Sequence, residues 1–112
     1  MLGTLQTHSV IRAVINYQHR LVETVEQFKA TAELVDGSYL HINEVWVDGD
    51  LKKYAYYRLS PTEQLIQGWD NAPHHLEIET YPHHTHLQNH VEPSSIRSLP
   101  DVLSHLQTEI NG

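Results

Sequence analysis

The sequence predicts an α+β fold: an N-terminal helix, an antiparallel meander of four to five strands, and a C-terminal helix packed on the sheet. Three observations lead there. Leu5, Ser9, Ala13 and Tyr17 recur every four residues, with Val10, Val14 and Leu21 beside them, close to the 3.6-residue period of a helix. From Val22 to Trp69 the period falls to two, and Asp36-Gly37, Asp48-Gly49-Asp50 and Ser60-Pro61-Thr62-Glu63 interrupt it as turns. Near the end, Leu99, Val102, Leu103, Leu106 and Ile110 form a second helical stripe, and a helix of that kind covers the apolar face of a sheet.

The elements follow in order. Residues 4–19 read as the first helix, with Arg12, Asn16 and Arg20 facing water, although the β-branched content of VIRAVI works against it. Val22, Thr24, Phe28, Ala30, Ala32 and Leu34 then fall on one strand face, interrupted at Glu26. Asp36-Gly37 is a hairpin signal. Tyr39–Val47 returns with Leu40, Ile42 and Trp46 on one side, Leu51–Leu59 carries Tyr54, Tyr56 and Tyr57, and Gln64–Trp69 is the fourth strand. Leu76–Tyr81 alternates and is expected to add a fifth, at an edge, because Pro82 donates no ladder hydrogen bond. That unpaired edge would suit a homodimer. Ser98 is the expected N-cap of the last helix, with Asp101 completing a capping box and Pro100 in the first turn.

Composition narrows the function classes. At 112 residues the chain is expected to be one domain, residues 1–112. Its hydrophobic content of 39% and mean hydropathy of -0.46 suit a water-soluble chain. No apolar run nears the roughly 20 residues of a membrane span, and the N-terminal residues lack a basic region followed by an apolar one. The absence of cysteine rules out disulfides and thiolate metal sites, and the expected location is cytoplasmic. The net charge of -7, with only seven Lys and Arg, is the wrong sign for gripping a long phosphate backbone. A small substrate, a short stretch of RNA or a basic protein surface fits better.

Chemistry is concentrated in Trp69–His90. His74, His75, His83, His84, His86 and His90 lie there, six of the ten histidines, among Asp70, Glu77 and Glu79. So many imidazoles and carboxylates make a poor core, because a buried polar group without a partner is costly. Imidazole titrates near neutral pH and ligates metals.

The run WDNAPHHLEIETYPHHTH, preceded by DGSYL and YAYYRL, resembles the TumE-type toxin family of prokaryotic toxin–antitoxin modules. The shared features are an Asp-Gly hairpin after the first strand, a tyrosine-bearing third strand, and Asp70-Asn71 followed by a histidine-rich segment ending in His84-Thr85-His86. The likeness spans about residues 35–86. It implies a small toxin, a single TumE-like domain, that acts on RNA or translation and is neutralised by a helix-turn-helix antitoxin.

His84 and His86 are i and i+2, so in an extended segment they share a side. As a general acid and base they would move protons between a ribose 2′-hydroxyl and a leaving oxygen, making the toxin a ribonuclease that needs no cofactor, with Asp70 orienting one ring. As ligands, with a carboxylate from Asp70 or Glu79 and one of His74 or His75, they would hold zinc or another divalent metal in an open hydrolytic site. Adjacent His74 and His75 face opposite ways, so only one can join. Asp70 also suits a turn that bonds its own backbone, and Asn71 leans further that way. Arg58 is the candidate phosphate contact, while Tyr56, Tyr54 and Trp69 are candidate stacking platforms, with half-buried sheet packing the commoner fate of such aromatics. A third reading, from another class, is a non-catalytic acidic module that binds a basic protein surface through Glu77 and Glu79.

Overall fold

The computed structural model describes residues 2–111. A one-and-a-half-turn helix α1 (Leu2–Thr7) precedes strands β1 (Ile11–Val22), β2 (Val25–Leu34), β3 (Tyr39–Val47), β4 (Asp50–Leu59), β5 (Leu65–Asp70), β6 (His84–His86) and β7 (Val91–Pro93). Helix α2 (Leu99–Asn111) follows. The strands form one sheet in the order β1 to β7, every neighbouring pair antiparallel. The α+β class and the meander are as expected, but the sheet has seven strands rather than four or five.

The first difference lies at residues 4–19, which are not one helix. Only Leu2–Thr7 is helical, and Ile11–Val22 is a long edge strand. Register shifts between Ile11 and Ala13 and between Val14 and Asn16 each insert a residue into β1. Ile11, Val14 and Tyr17 therefore reach the core at intervals of three, a spacing that mimics a helix. With two bulges the β-branched residues keep their preferred backbone and still bury one face.

The turns follow local chemistry. Gly37 has φ +89°, and the Asp48-Gly49 pair takes φ +52° and +82°, the double positive signature of the hairpin turn expected there. The strands at 39–47 and 51–59 match the periodicity almost residue for residue.

Leu76–Tyr81 is the second correction. It is a succession of turns, with Ile78 N bonded to His75 O, Tyr81 N to Ile78 O and His83 N to Thr80 O. The segment is bracketed by Pro73 and Pro82, and pairing resumes only after Pro82, where His84–His86 joins β5 and then β7. The dimer edge expected at 76–81 therefore does not exist; among the described residues the outer strands are β1 and β7.

The sheet has one covered and one open face. Ala30, Leu34, Leu40, Ile42, Tyr54, Tyr56 and Trp69 meet Leu99, Val102, Leu103 and Leu106 of α2 and Leu5 of α1 in one buried cluster. Burying each such leucine contributes roughly 1.5–3 kcal/mol, so α2 is held by its apolar stripe. Its cap differs slightly from expectation: the Asp101 carboxylate accepts from Arg97 N at 2.9 Å, one residue before Ser98.

Candidate functional site

Strand parity decides which side chains meet. In the β5–β6 ladder Asp70 faces His84, Trp69 faces Thr85 and Gly68 faces His86. Alternate residues point to opposite faces, so Asp70, His84 and His86 emerge together on the open face. Trp69 turns inward and is 1% exposed. The i, i+2 argument for His84 and His86 holds in three dimensions.

Three polar groups converge on one point. His84 Nε2 lies 2.9 Å from His86 Nε2 and 2.7 Å from Asp70 Oδ1, while His86 Nε2 lies 2.9 Å from Asp70 Oδ2. All three offer ligand atoms within 4.8 Å of one another. His84 and Asp70 are buried and His86 is partly open, so the cluster has a single accessible side.

The surrounding hydrogen bonds hold these groups in place. His84 Nδ1 lies 2.9 Å from Pro82 O; a carbonyl only accepts, so Nδ1 carries the proton in that bond. Asp70 Oδ1 accepts from Ala72 N at 3.0 Å. One oxygen of Asp70 thus caps its own turn, while the other lies against His86 Nε2. Thr80 Oγ1 donates to His83 O at 2.6 Å and accepts from Ser94 N, tying the short β6 to the segment after β7.

Tyr57 is the member that sequence reasoning missed. Its hydroxyl donates to Asp70 Oδ2 at 2.5 Å, and its ring lies 6.0 Å from that of His86. Burial first, then the hydrogen bond and charge of Asp70, push the phenol pKa upward, so the group remains a donor. Tyr57 sits one residue from Tyr56 and therefore on the opposite face. Its distance from Asp70 depends on the β4–β5 register, which pairs Tyr57 with Gly68. A side chain on Gly68 would run into the Tyr57 ring, so glycine permits this approach.

A model of the toxin TumE family matches residues 4–112, nearly the whole chain. The chain belongs to that family. It is thus the toxin component of a toxin–antitoxin module, with an antitoxin as its partner. No curated protein and no solved structure matches it. No helix among the described residues is long and apolar enough to cross a membrane.

The other expected site residues of this TumE-family toxin divide by face. Tyr56 is fully buried on the covered side and donates to Glu44 Oε2 at 2.5 Å. Arg58 is also on that side, bonded to Asp36 at 2.6 Å and Glu109 at 2.8 Å. With Trp69 edge-on to His105 of α2, these three belong to the core and its border. The correction has one physical cause: they share strand parity with the apolar residues. Tyr54 is there too; burial first pushes its pKa to about 12, and its hydroxyl is bonded to Ile96 O and His83 Nδ1. His83 points away from His84 and stacks on Tyr54. Asn71 braces β4, accepting from Tyr54 N and donating to Lys52 O, each at 3.0 Å.

The choice between His74 and His75 falls on His75. Its ring lies 5.0 Å from His84 and 6.0 Å from His86, and its Nδ1 is 3.2 Å from Glu77. His74 and Glu79 are exposed. Neither they nor His75 joins the cluster of ligand atoms, so the larger metal set expected from sequence contracts to Asp70, His84 and His86.

Proposed function

We propose that this toxin is a ribonuclease that breaks phosphodiester bonds at Asp70, His84 and His86 with a divalent metal ion. The observation that carries the reading is the convergence of both Nε2 atoms on the two oxygens of one carboxylate. His84 Nδ1 donates to Pro82 O, which directs the Nε2 lone pair at the cluster in the neutral ring, the orienting bond that metal-bound histidines commonly make. Two imidazole nitrogens and two carboxylate oxygens so close together form a donor set that a bound cation would satisfy at once. Asp70, His84 and His86, whose facing atoms stand 2.7–2.9 Å apart, are the residues that would hold the ion. Two imidazoles and a carboxylate with open positions suit zinc or a related first-row ion.

The same distances weigh against a metal-free acid–base pair. In phosphoryl transfer the attacking and leaving oxygens stand on opposite sides of phosphorus, so an acid and a base must flank the phosphate. Two nitrogens 2.9 Å apart would have to separate first. A metal ion at the open side of the cluster would instead polarise the phosphate and activate water or a 2′-hydroxyl.

The test is growth arrest on expression, RNA cleavage by tag-free protein, and its metal content. His84→Ala, His86→Ala and Asp70→Asn are each expected to abolish arrest and bound metal while circular dichroism stays native. A metal-free preparation that cleaves RNA fully in chelator would leave the acid–base chemistry and remove the metal. Undiminished arrest by the folded His84→Ala/His86→Ala variant would remove both.

A further inference from the structure

We infer that the open face of the sheet is a track for single-stranded RNA, running from β1 across to the Asp70–His84–His86 cluster. The inference rests on reading that cluster as an RNA-acting site. It follows from which residues the register aligns. One cross-strand row reads Gln18, Lys29, Asn43, Ala55, Asp70, His84. The row on one side begins at Arg20 and ends at Lys53, and the row on the other carries His41 and Tyr57 before reaching Gly68 and His86. Five steps of about 4.8 Å separate β1 from β6, a distance of about 24 Å, enough for several nucleotides.

Charge is segregated in these three rows. The protein carries -7 overall and only seven Lys and Arg, yet Arg20, Lys29 and Lys53 all stand in these rows, exposed and without a carboxylate partner among the described residues. Asp70 is the only acidic residue in the three rows. An acidic chain that gathers cations in three rows of one sheet face, beside a cluster suited to phosphate chemistry, presents a complementary surface to a polyanion there.

Shape agrees with charge. A hollow of about 360 Å³ is lined by Gln18, Lys29, His41, Asn43 and Tyr57. A second, of about 280 Å³, shares Asn43 and Tyr57 and extends to Lys53 and Asp70. Small Ala55 floors both. The amides supply hydrogen bonds, the lysines bind phosphates, and the Tyr57 and His41 rings can contact base faces.

The experiment is fluorescence anisotropy with a 5′-labelled, mixed-sequence 12-nucleotide single-stranded RNA and the full chain in chelator, which keeps cleavage out of the binding readout. Lys29→Ala and Lys53→Ala are each expected to weaken binding several-fold, and the double variant at least about tenfold, with its salt slope lower by about 1.4 for two lost phosphate contacts. Arg12→Ala should stay within about twofold, because Arg12 already engages Val35 O and Glu33. Wild-type affinity in the folded double variant, or an equal loss in Arg12→Ala, overturns the track. So does a double variant that keeps the oligonucleotide but loses purified antitoxin, which assigns the face to the protein partner. Lysine-dependent binding by a wild-type protein that cleaves no RNA with metal restored removes the proposed chemistry and leaves the track; cleavage with lysine-independent binding does the reverse.

Discussion

Asp70 sits between two demands. One oxygen caps a turn at Ala72 N and lies beside His84, and the other receives both His86 and the Tyr57 hydroxyl. A carboxylate with this many partners has little rotational freedom, which suits a group that must aim at a fixed point. Tyr57→Phe removes one of those bonds and leaves the ring in place. Expected from it is a roughly tenfold fall in RNA cleavage, matching about 1.4 kcal/mol for a hydrogen bond to a charged group, with the folded near-ultraviolet spectrum retained. Wild-type kinetics in that variant would show that Tyr57 plays no positioning role. Sequence made His84, His86 and Asp70 legible because their spacing and density were unusual. Tyr57 stood unmarked among three tyrosines, and only strand pairing separates it from Tyr54 and Tyr56.

At the scale of the element, β4 and β5 approach through Gly68. A methyl group there would overlap the Tyr57 ring, so Gly68→Ala is expected to cost about 1–3 kcal/mol in urea denaturation and to lower cleavage by displacing Tyr57 from Asp70. Tyr57→Ala in the same chain should recover part of that stability, since contacting residues do not add independently. A Gly68→Ala protein as stable as wild type would mean that the ring moves freely. The first strand teaches the complementary lesson. Ile11, Val14 and Tyr17 carry a helical spacing, yet bulged strand geometry accounts for it equally well. Periodicity cannot separate these cases when the bulges recur at the right interval. Leu76–Tyr81 misleads in the opposite direction, alternating like a strand while folding into turns between two prolines.

Across the whole molecule, Arg58 joins layers. It bonds Ser38 at 3.2 Å and Asp36 at 2.6 Å at the β2–β3 turn, and Glu109 at 2.8 Å on α2. Partial burial works to raise the Asp36 pKa, but the Ser38 hydroxyl and amide and the Arg58 guanidinium outweigh it and hold it below the ordinary 3.8. A carboxyl whose folded pKa is depressed contributes stability above its unfolded pKa and loses it as pH falls through the folded value. Asp36→Asn should therefore lower Tm at neutral pH, and the gap to wild type should close progressively below about pH 4. A gap of constant size from pH 7 to pH 2 would contradict this. Such a network also explains why a cationic residue expected to meet phosphate is structural: Arg58 is already satisfied three times over.

What sequence alone determined was the α+β class, the tight turns, the C-terminal helix, and that His84 and His86 share one side of their strand. Those are consequences of local physics: turn residues with positive φ, an apolar stripe, and a pair two residues apart in extended backbone. Tertiary structure decided which face each strand residue occupies relative to its neighbours. That depends on bulges and on register between strands distant in sequence, and it sent Arg58, Tyr56 and Trp69 inward. By the same rule it brought Tyr57 and Gly68 beside the cluster and aligned Lys29 and Lys53 with it. Local spacing names candidates, whereas sheet pairing, set by which apolar side chains can be buried together, selects among them.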